Sequence, residues 1–426
     1  MARFSLVPTE VIDQILKFVP RPDLASLCRV NKSLHQSAER FLYSTIEIIW
    51  DKKHQKPSIV PLLRTLFQRP ELLSYVDEVH LHGAYFPDDL KRPLLDTATA
   101  DIPLDEFINT INKTKVTYAD LWVERLRSGN MDAFAGLLIA NLANISYLDI
   151  THNFINDNDI LSEVLLSKVF GQLPTFGHLK KIVYTKRLDR KVWERNEISL
   201  STMSLFYLPA ITDITVRMSN PDIFEWPAEE PTLNYLTSLN IGWFVEPYMA
   251  QLFPCIPNLK SLSWSWIYHQ SPNEDMEETI LDFDKIVEIL LNIKDSLETF
   301  VFSMEIGGDD YERVVDDMEF FGSFRGLREF KQLKSLSIPL VCLAGFGSEP
   351  IPLEQSTPAG LEVIHIRWED LSGFGVEIGW YNGNLFDHVR PMIQPLVENS
   401  PKLHLLTAVG RTMEVRTKLC APDCHP

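Results

Sequence analysis

Cysteine is scarce in this chain. The five present, Cys28, Cys255, Cys342, Cys420 and Cys424, are scattered through 426 residues. That usage excludes a disulfide-stapled secreted scaffold and leads us to expect a reduced compartment, cytoplasmic or nuclear. Long apolar runs are missing as well. The longest uncharged stretch near the middle, between Asp132 and Asp149, contains Asn141 and Asn144. It is shorter than the roughly 18–20 apolar residues that a membrane-spanning helix needs. Glu10, Asp13 and Lys17 interrupt the first apolar segment, which therefore does not read as a signal-peptide core. Basic residues are outnumbered, 40 Lys and Arg against 58 Asp and Glu, for a formal charge of −18. Neither a nucleic-acid backbone nor an anionic membrane is expected as a partner of such a surface.

Strings that carry catalysis are also absent. There is no Gly-x-Gly-x-x-Gly, P-loop, Gly-x-Ser-x-Gly or His-Glu-x-x-His. His80 and His82 share a strand face and are close enough to share a metal. With no third ligand converging on them in the sequence, they are expected to be plain exposed histidines. Cys420, Cys424 and His425 sit in a terminal tail, a poor place for a preorganised metal site. The expectation is a chain with no cofactor, no metal and no enzymatic activity.

What is present is an ordinary globular composition, 45% hydrophobic and 11% aromatic, with ample length for a large core. Charge is unevenly placed: residues 1–70 carry a net +5, the remainder −23. The opening segment has helical apolar spacing at Val11, Ile12, Ile15, Leu16, Phe18 and Val19, with Pro8 in the first turn. Pro20 and Pro22 stop that helix, and a second is expected from Asp23 to Val30. Asn31 and Ser33 are cap candidates for a third helix carrying Leu34, Ala38, Phe41 and Leu42. Three helices this short leave apolar faces that must pack on the rest of the chain or on another protein.

The grouping of Pro8-x-Glu10, Pro22-Asp23-Leu24 and Val30-Asn31-Lys32 resembles an F-box over roughly residues 4–44. Val7 stands where that family usually has Leu, and Leu34 where Trp is common. The resemblance implies docking onto the SKP-type adaptor subunit of a cullin–RING ubiquitin ligase, and through it onto a cullin. It makes Pro8, Ile12, Ile15, Leu16, Leu24, Leu27, Val30 and Leu34 the candidate adaptor contacts, some of which must serve as core within the module.

From residue 73 onward a pattern of apolar, two residues, apolar, two residues, apolar, one residue, apolar recurs. Examples are Leu142-Ile145-Leu148-Ile150, Leu208-Ile211-Ile214-Val216 and Phe330-Leu333-Leu336-Ile338. Its last apolar position falls at 81, 150, 184, 216, 241, 264, 302, 338, 366 and 408. Some spacings match a leucine-rich unit of about 20–29 residues, and the rest exceed it by insertions. Residues 119–141, inside the widest gap, have helical apolar spacing. Each unit contributes a strand whose buried edge needs a neighbour. Trp243, Trp266 and Trp368 fall on the inward side by strand parity.

This body resembles the irregular leucine-rich repeats behind fungal-type F-boxes, although an asparagine three residues past the strand's last apolar position occurs only at Asn153. The fold expected is α/β: a three-helix F-box, then a curved leucine-rich-repeat solenoid with a parallel sheet on its concave side. The boundaries are 1–45 for the helical module, 46–72 for a connecting segment, 73–412 for the repeats and 413–426 for a tail. Side chains alternating with the buried ones form the candidate client surface: Asp149, Thr151, Lys181, Asp213, Arg217, Asn240, His365 and Arg367. Acidic stretches (Glu274 to Asp284 and Asp309 to Glu319) would attract a client with a basic segment. The function implied is substrate recognition in an SCF-type ligase. The alternative left open is a leucine-rich scaffold acting outside any ligase.

Overall fold

The structure, a computed structural model, describes residues 7–54, 58–83, 86, 93–97, 102–155, 159–185, 200–217, 224–269, 280–307, 319–346, 349–367, 385–408 and 411–414. The chain falls into two units, Met1–Arg187 with Ser199–Thr212, and Leu188–Ile198 with Asp213–Pro426. Among the described residues no helix is long and apolar enough to cross a membrane.

The first unit opens with α1 (Thr9–Leu16), α2 (Arg21–Leu27) and α3 (Lys32–Ser44). Pro22 occupies the first turn of α2, where its missing N–H costs nothing. The Asn31 side chain caps α3 by accepting from the Leu34 amide at 2.9 Å. α3 runs directly into β1 (Thr45–Ile49), followed by α4 (Ile59–Gln68) and a 3-10 turn at Pro70–Tyr75. Residues 46–72, expected to be a connecting segment, therefore supply most of a strand and a helix of the unit itself. Then come β2 (Glu78–His82), α5 (Leu104–Thr114), α6 (Ala119–Arg127), α7 (Met131–Asn141), β3 (Tyr147–Thr151), α8 (Asp159–Val169), β4 (Lys181–Thr185) and a short helix, Leu200–Ser204.

Strands β1 to β4 lie side by side in sequence order, and the printed registers of β1–β2, β2–β3 and β3–β4 are parallel. α7 is buried on every side from Met131 to Ala140, as a helix apolar all round must be. Gly136 permits this: a Cβ there would stand 2.9 Å from the Ile160 side chain of α8. Asp132 of α7 accepts from the Ile160 and Leu161 amides at 2.8 and 2.9 Å, capping α8 from a neighbouring helix. The Asn153 Nδ2 donates to the Trp50 carbonyl at 2.6 Å, tying the loop after β3 to the end of β1.

The second unit contains β5 (Asp213–Arg217), β6 (Ser238–Gly242), β7 (Ser261–His269), β8 (Ile280–Asp282), β9 (Thr299–Gly307), β10 (Glu319–Phe321), β11 (Ser335–Pro339), β12 (Val363–Arg367), β13 (Leu405–Ala408) and β14 (Arg411–Glu414). The order β5-β6-β7-β9-β11-β12-β13 is parallel throughout, and β14 closes it antiparallel. β8 and β10 pair separately. Every strand expected from the recurring pattern is found, and β7 and β9 run on to nine residues each. Trp243 and Trp266 are buried, and the Trp264 indole donates to the Phe244 carbonyl at 2.7 Å. Trp368 lies outside the described residues. The whole chain is thus α/β, with N-terminal helices and large parallel sheet structure.

Candidate functional site

Two surfaces gather the candidate residues. On the strand faces, register aligns them in rows. In the second unit one row runs Thr215, Asn240, Ser263, Val301, Ser337, His365, Thr407. Asp213 starts the neighbouring row beside Ser238 and Ser261. Arg217 and Asn240 are exposed, while Asp213, His365 and Arg367 are half-buried. The Arg217 guanidinium lies 5.2 Å from the Trp243 ring centroid, and Arg367 donates to the Phe302 carbonyl. Trp243 holds a left-handed backbone (φ 68°), rare for a bulky residue, and its N–H donates to the Ser265 carbonyl at 2.7 Å. The face is built mainly of short hydroxyl side chains, which suit hydrogen bonding to an extended segment more than capture of a phosphate.

In the first unit Lys181 is exposed, with its ammonium 5.4 Å from the Tyr147 ring centroid. Thr151 is half-buried at the end of β3. Asp149, half-buried, is aligned with His80 across β2 and β3. Of the two acidic stretches, only Asp282, Asp284 and Glu319 lie within the described residues. Asp282 caps the helix Phe283–Leu290, a structural task.

The other surface is the N-terminal helical module. α1 and the turn after it carry two apolar stripes. Ile12 and Leu16, four residues apart, face inward with Leu24 and Ala38, and Val7, Val19, Leu27, Cys28, Phe41 and Leu42 pack around them. Val11, Ile15 and Phe18 form the second stripe and point away, 47%, 46% and 85% exposed, with Val30 63% exposed. Of the expected adaptor contacts, Ile12, Leu16 and Leu24 therefore form the module's own core, because three short helices need an interior before they can offer a surface. Leu27 and Leu34 are half-buried, and Pro8, Ile15 and Val30 remain exposed. Among the described residues, those beyond 44 leave Val11, Ile15 and Phe18 exposed.

Residues 4–42 match the F-box domain family. The match spans α1, α2 and nearly all of α3. No curated protein sequence matches the chain.

Polar contacts join α3 to the Pro70–Tyr75 turn and to the residue before β2. Arg69 donates to both carboxylate oxygens of Glu39, at 2.5 and 2.9 Å, and its Nε reaches Glu71 at 2.9 Å. Hydrogen bonding from Arg69 holds the Glu39 carboxyl below the usual glutamate range, and hydrogen bonding to Glu39 pushes the Arg69 guanidinium up. His35 adds a contact to Glu39 at 3.3 Å, and the Asp77 amide donates to the Ser44 carbonyl at 2.8 Å. Helical spacing alone does not separate the exposed Val11 and Phe18 from the buried Ile12 and Leu16.

Proposed function

We propose that this chain is the substrate-recognition subunit of an SCF-type ubiquitin ligase. The observation that carries the reading is an F-box match in which the apolar side chains Val11, Ile15, Phe18 and Val30 stay exposed among the described residues. Seating those side chains on an SKP-type adaptor would bring the chain to a cullin. The strand faces would hold a client, with Thr151, Lys181, Asp213, Arg217, Asn240, His365 and Arg367 as contacts, and the sheets built as irregular leucine-rich repeats of curved, solenoid form. Ubiquitin transfer would fall to other subunits, and this chain would raise the client's effective concentration beside the conjugating enzyme. The direct run of α3 into β1, with the Glu39–Arg69 pair beside it, would set the spacing between adaptor and the first unit's strand face.

Co-expression with an SKP-type adaptor tests the reading. A one-to-one complex is expected, lost in Ile15→Asp/Phe18→Asp while the variant keeps its circular dichroism. Burying a phenylalanine stabilises by about 2 kcal/mol, so Phe18→Ala alone should weaken binding roughly 30-fold. A well-folded wild-type chain that never co-purifies with the adaptor would favour a scaffold acting outside any ligase.

A further inference from the structure

One side-chain cluster in the first unit, which includes the candidate client residue Asp149, brings together a donor set of its own. His80 and Asp149 are register partners on β2 and β3, and Glu47 on β1 stands opposite His80 from the other side. His82, two residues along β2, returns to the same face. Asp149 Oδ2 lies 2.9 Å from His82 Nε2 and 3.9 Å from His80 Nδ1. One donor atom from each of the three residues falls within 4.8 Å of the others. The second carboxylate oxygen, Oδ1, is buried and has no hydrogen-bond partner among the described residues.

The plain reading of this cluster is one hydrogen bond between His82 and Asp149, with His80 a bystander. Three features point further. Two imidazole nitrogens and one carboxylate make a donor set that divalent transition metals of the zinc class accept. Donors at about 2.0–2.2 Å from a tetrahedral ion lie roughly 3.4 Å from each other, and the observed separations of 2.9 and 3.9 Å bracket that value. The third separation, between the two imidazoles, is within 4.8 Å. An outer layer is also in place. The Tyr147 hydroxyl donates to Asp149 Oδ2 at 3.3 Å, and Glu78 Oε2 is 3.5 Å from His80 Nε2. A carboxylate on the far ring nitrogen is the usual partner of a ligating histidine, since it fixes the tautomer and leaves Nδ1 for the ion.

We infer that His80, His82 and Asp149 bind a divalent transition-metal ion of the zinc class, with the remaining coordination position open to the exposed face of the sheet. The side chains are 22%, 35% and 14% exposed, so water or a donor from an incoming protein can reach that position. Asp149 is then a metal ligand rather than a bare client contact. The inference is independent of the ligase reading.

Zinc titrated into the untagged full-length chain by calorimetry tests it. One ion per chain is expected at this site, with binding weakened by more than about 100-fold in His80→Gln/His82→Gln and in Asp149→Asn. Tyr147→Phe, which removes only the outer hydrogen bond, should weaken it about 10-fold. Cys420→Ser/Cys424→Ser should leave it unchanged. Bound cobalt should show visible absorption bands that vanish in the same ligand variants. Zinc should also protect His80 and His82 of the wild-type chain from acylation by diethylpyrocarbonate, a readout that needs no variant. Wild-type affinity retained in the ligand variants, or zinc that leaves both histidines equally reactive, would overturn the assignment.

Discussion

Asn153→Leu removes a tie on which the first unit's sheet depends. The Asn153 side chain is almost fully buried, 3% exposed, and its amide reaches the Trp50 carbonyl at 2.6 Å across 103 residues of chain. Trp50 in turn donates its N–H to the His82 carbonyl at 2.8 Å, so the ends of β1, β2 and β3 are knitted at one point. Gly83 belongs to the same junction, since a Cβ there would stand 1.9 Å from the Trp50 oxygen. Leucine matches asparagine's length without a donor, and it leaves a buried carbonyl short of a partner. Such a loss costs about 1–3 kcal/mol. Taking about 2 kcal/mol, local opening becomes roughly 30-fold more frequent. Hydrogen exchange of the amides in Thr45–Ile49 and Glu78–His82 reads this directly. Exchange in both strands accelerating less than about threefold would refute the assignment of the Asn153 bond as the clamp.

Other outcomes follow from the same geometry. Leu24→Ala should destabilise the F-box by about 2–5 kcal/mol, while Phe18→Ser should leave its protease resistance unchanged, because one side chain is core and the other is surface. Glu39→Gln should weaken the joint between α3 and the Pro70–Tyr75 turn by about 1 kcal/mol at pH 7, discounted because Arg69 is 40% exposed. The folded carboxyl titrates below its unfolded value, so the wild-type advantage should disappear as pH falls through that lower value, which urea melts at pH 7 and pH 3 would show. Lys168, fully buried, donates to the Leu142 and Pro174 carbonyls at 2.5 and 3.0 Å, and burial lowers its ammonium to about 7. The unfolded lysine holds its proton across the window from there to the ordinary value of 10.5, so wild-type stability should rise with pH relative to Lys168→Met. Between pH 7 and 8.5 the gap should grow by up to about 1.4 kcal/mol per pH unit, and parallel denaturation curves would contradict it.

The strands were legible because each repeats the same short apolar ruler and the buried edge of a parallel strand demands it. β1 was not, since α3 passes into Thr45–Ile49 with no Gly or Pro between them and only Ile46 and Ile48 mark its buried side. Residues 119–141 read as helical, and the structure divides them at Gly129, whose φ of 78° suits glycine. β14 escaped because it pairs antiparallel and lies outside the repeat pattern.

The candidate sites divide in the same way. Resemblance to the family placed an F-box at the N-terminus, but it could not tell a buried apolar residue from an exposed one. Ile12 and Ile15 look alike in sequence, and only the packing of α1 on α2 and α3 separates them. Asp149 and His80 are 69 residues apart, and no local pattern relates them. The register of β2 on β3 brings them together. Asn153 stood out as the one asparagine at a ladder position, and the structure uses it as a tie between chain segments.

Hydrogen–deuterium exchange of the full-length chain, with and without an SKP-type adaptor, tests the central claim most directly. Protection should appear in the peptides carrying Val11, Ile15, Phe18 and Val30, and it should be lost in Ile15→Asp/Phe18→Asp. Protection on the strand faces with α1 and α2 unchanged, or none anywhere, would contradict the account.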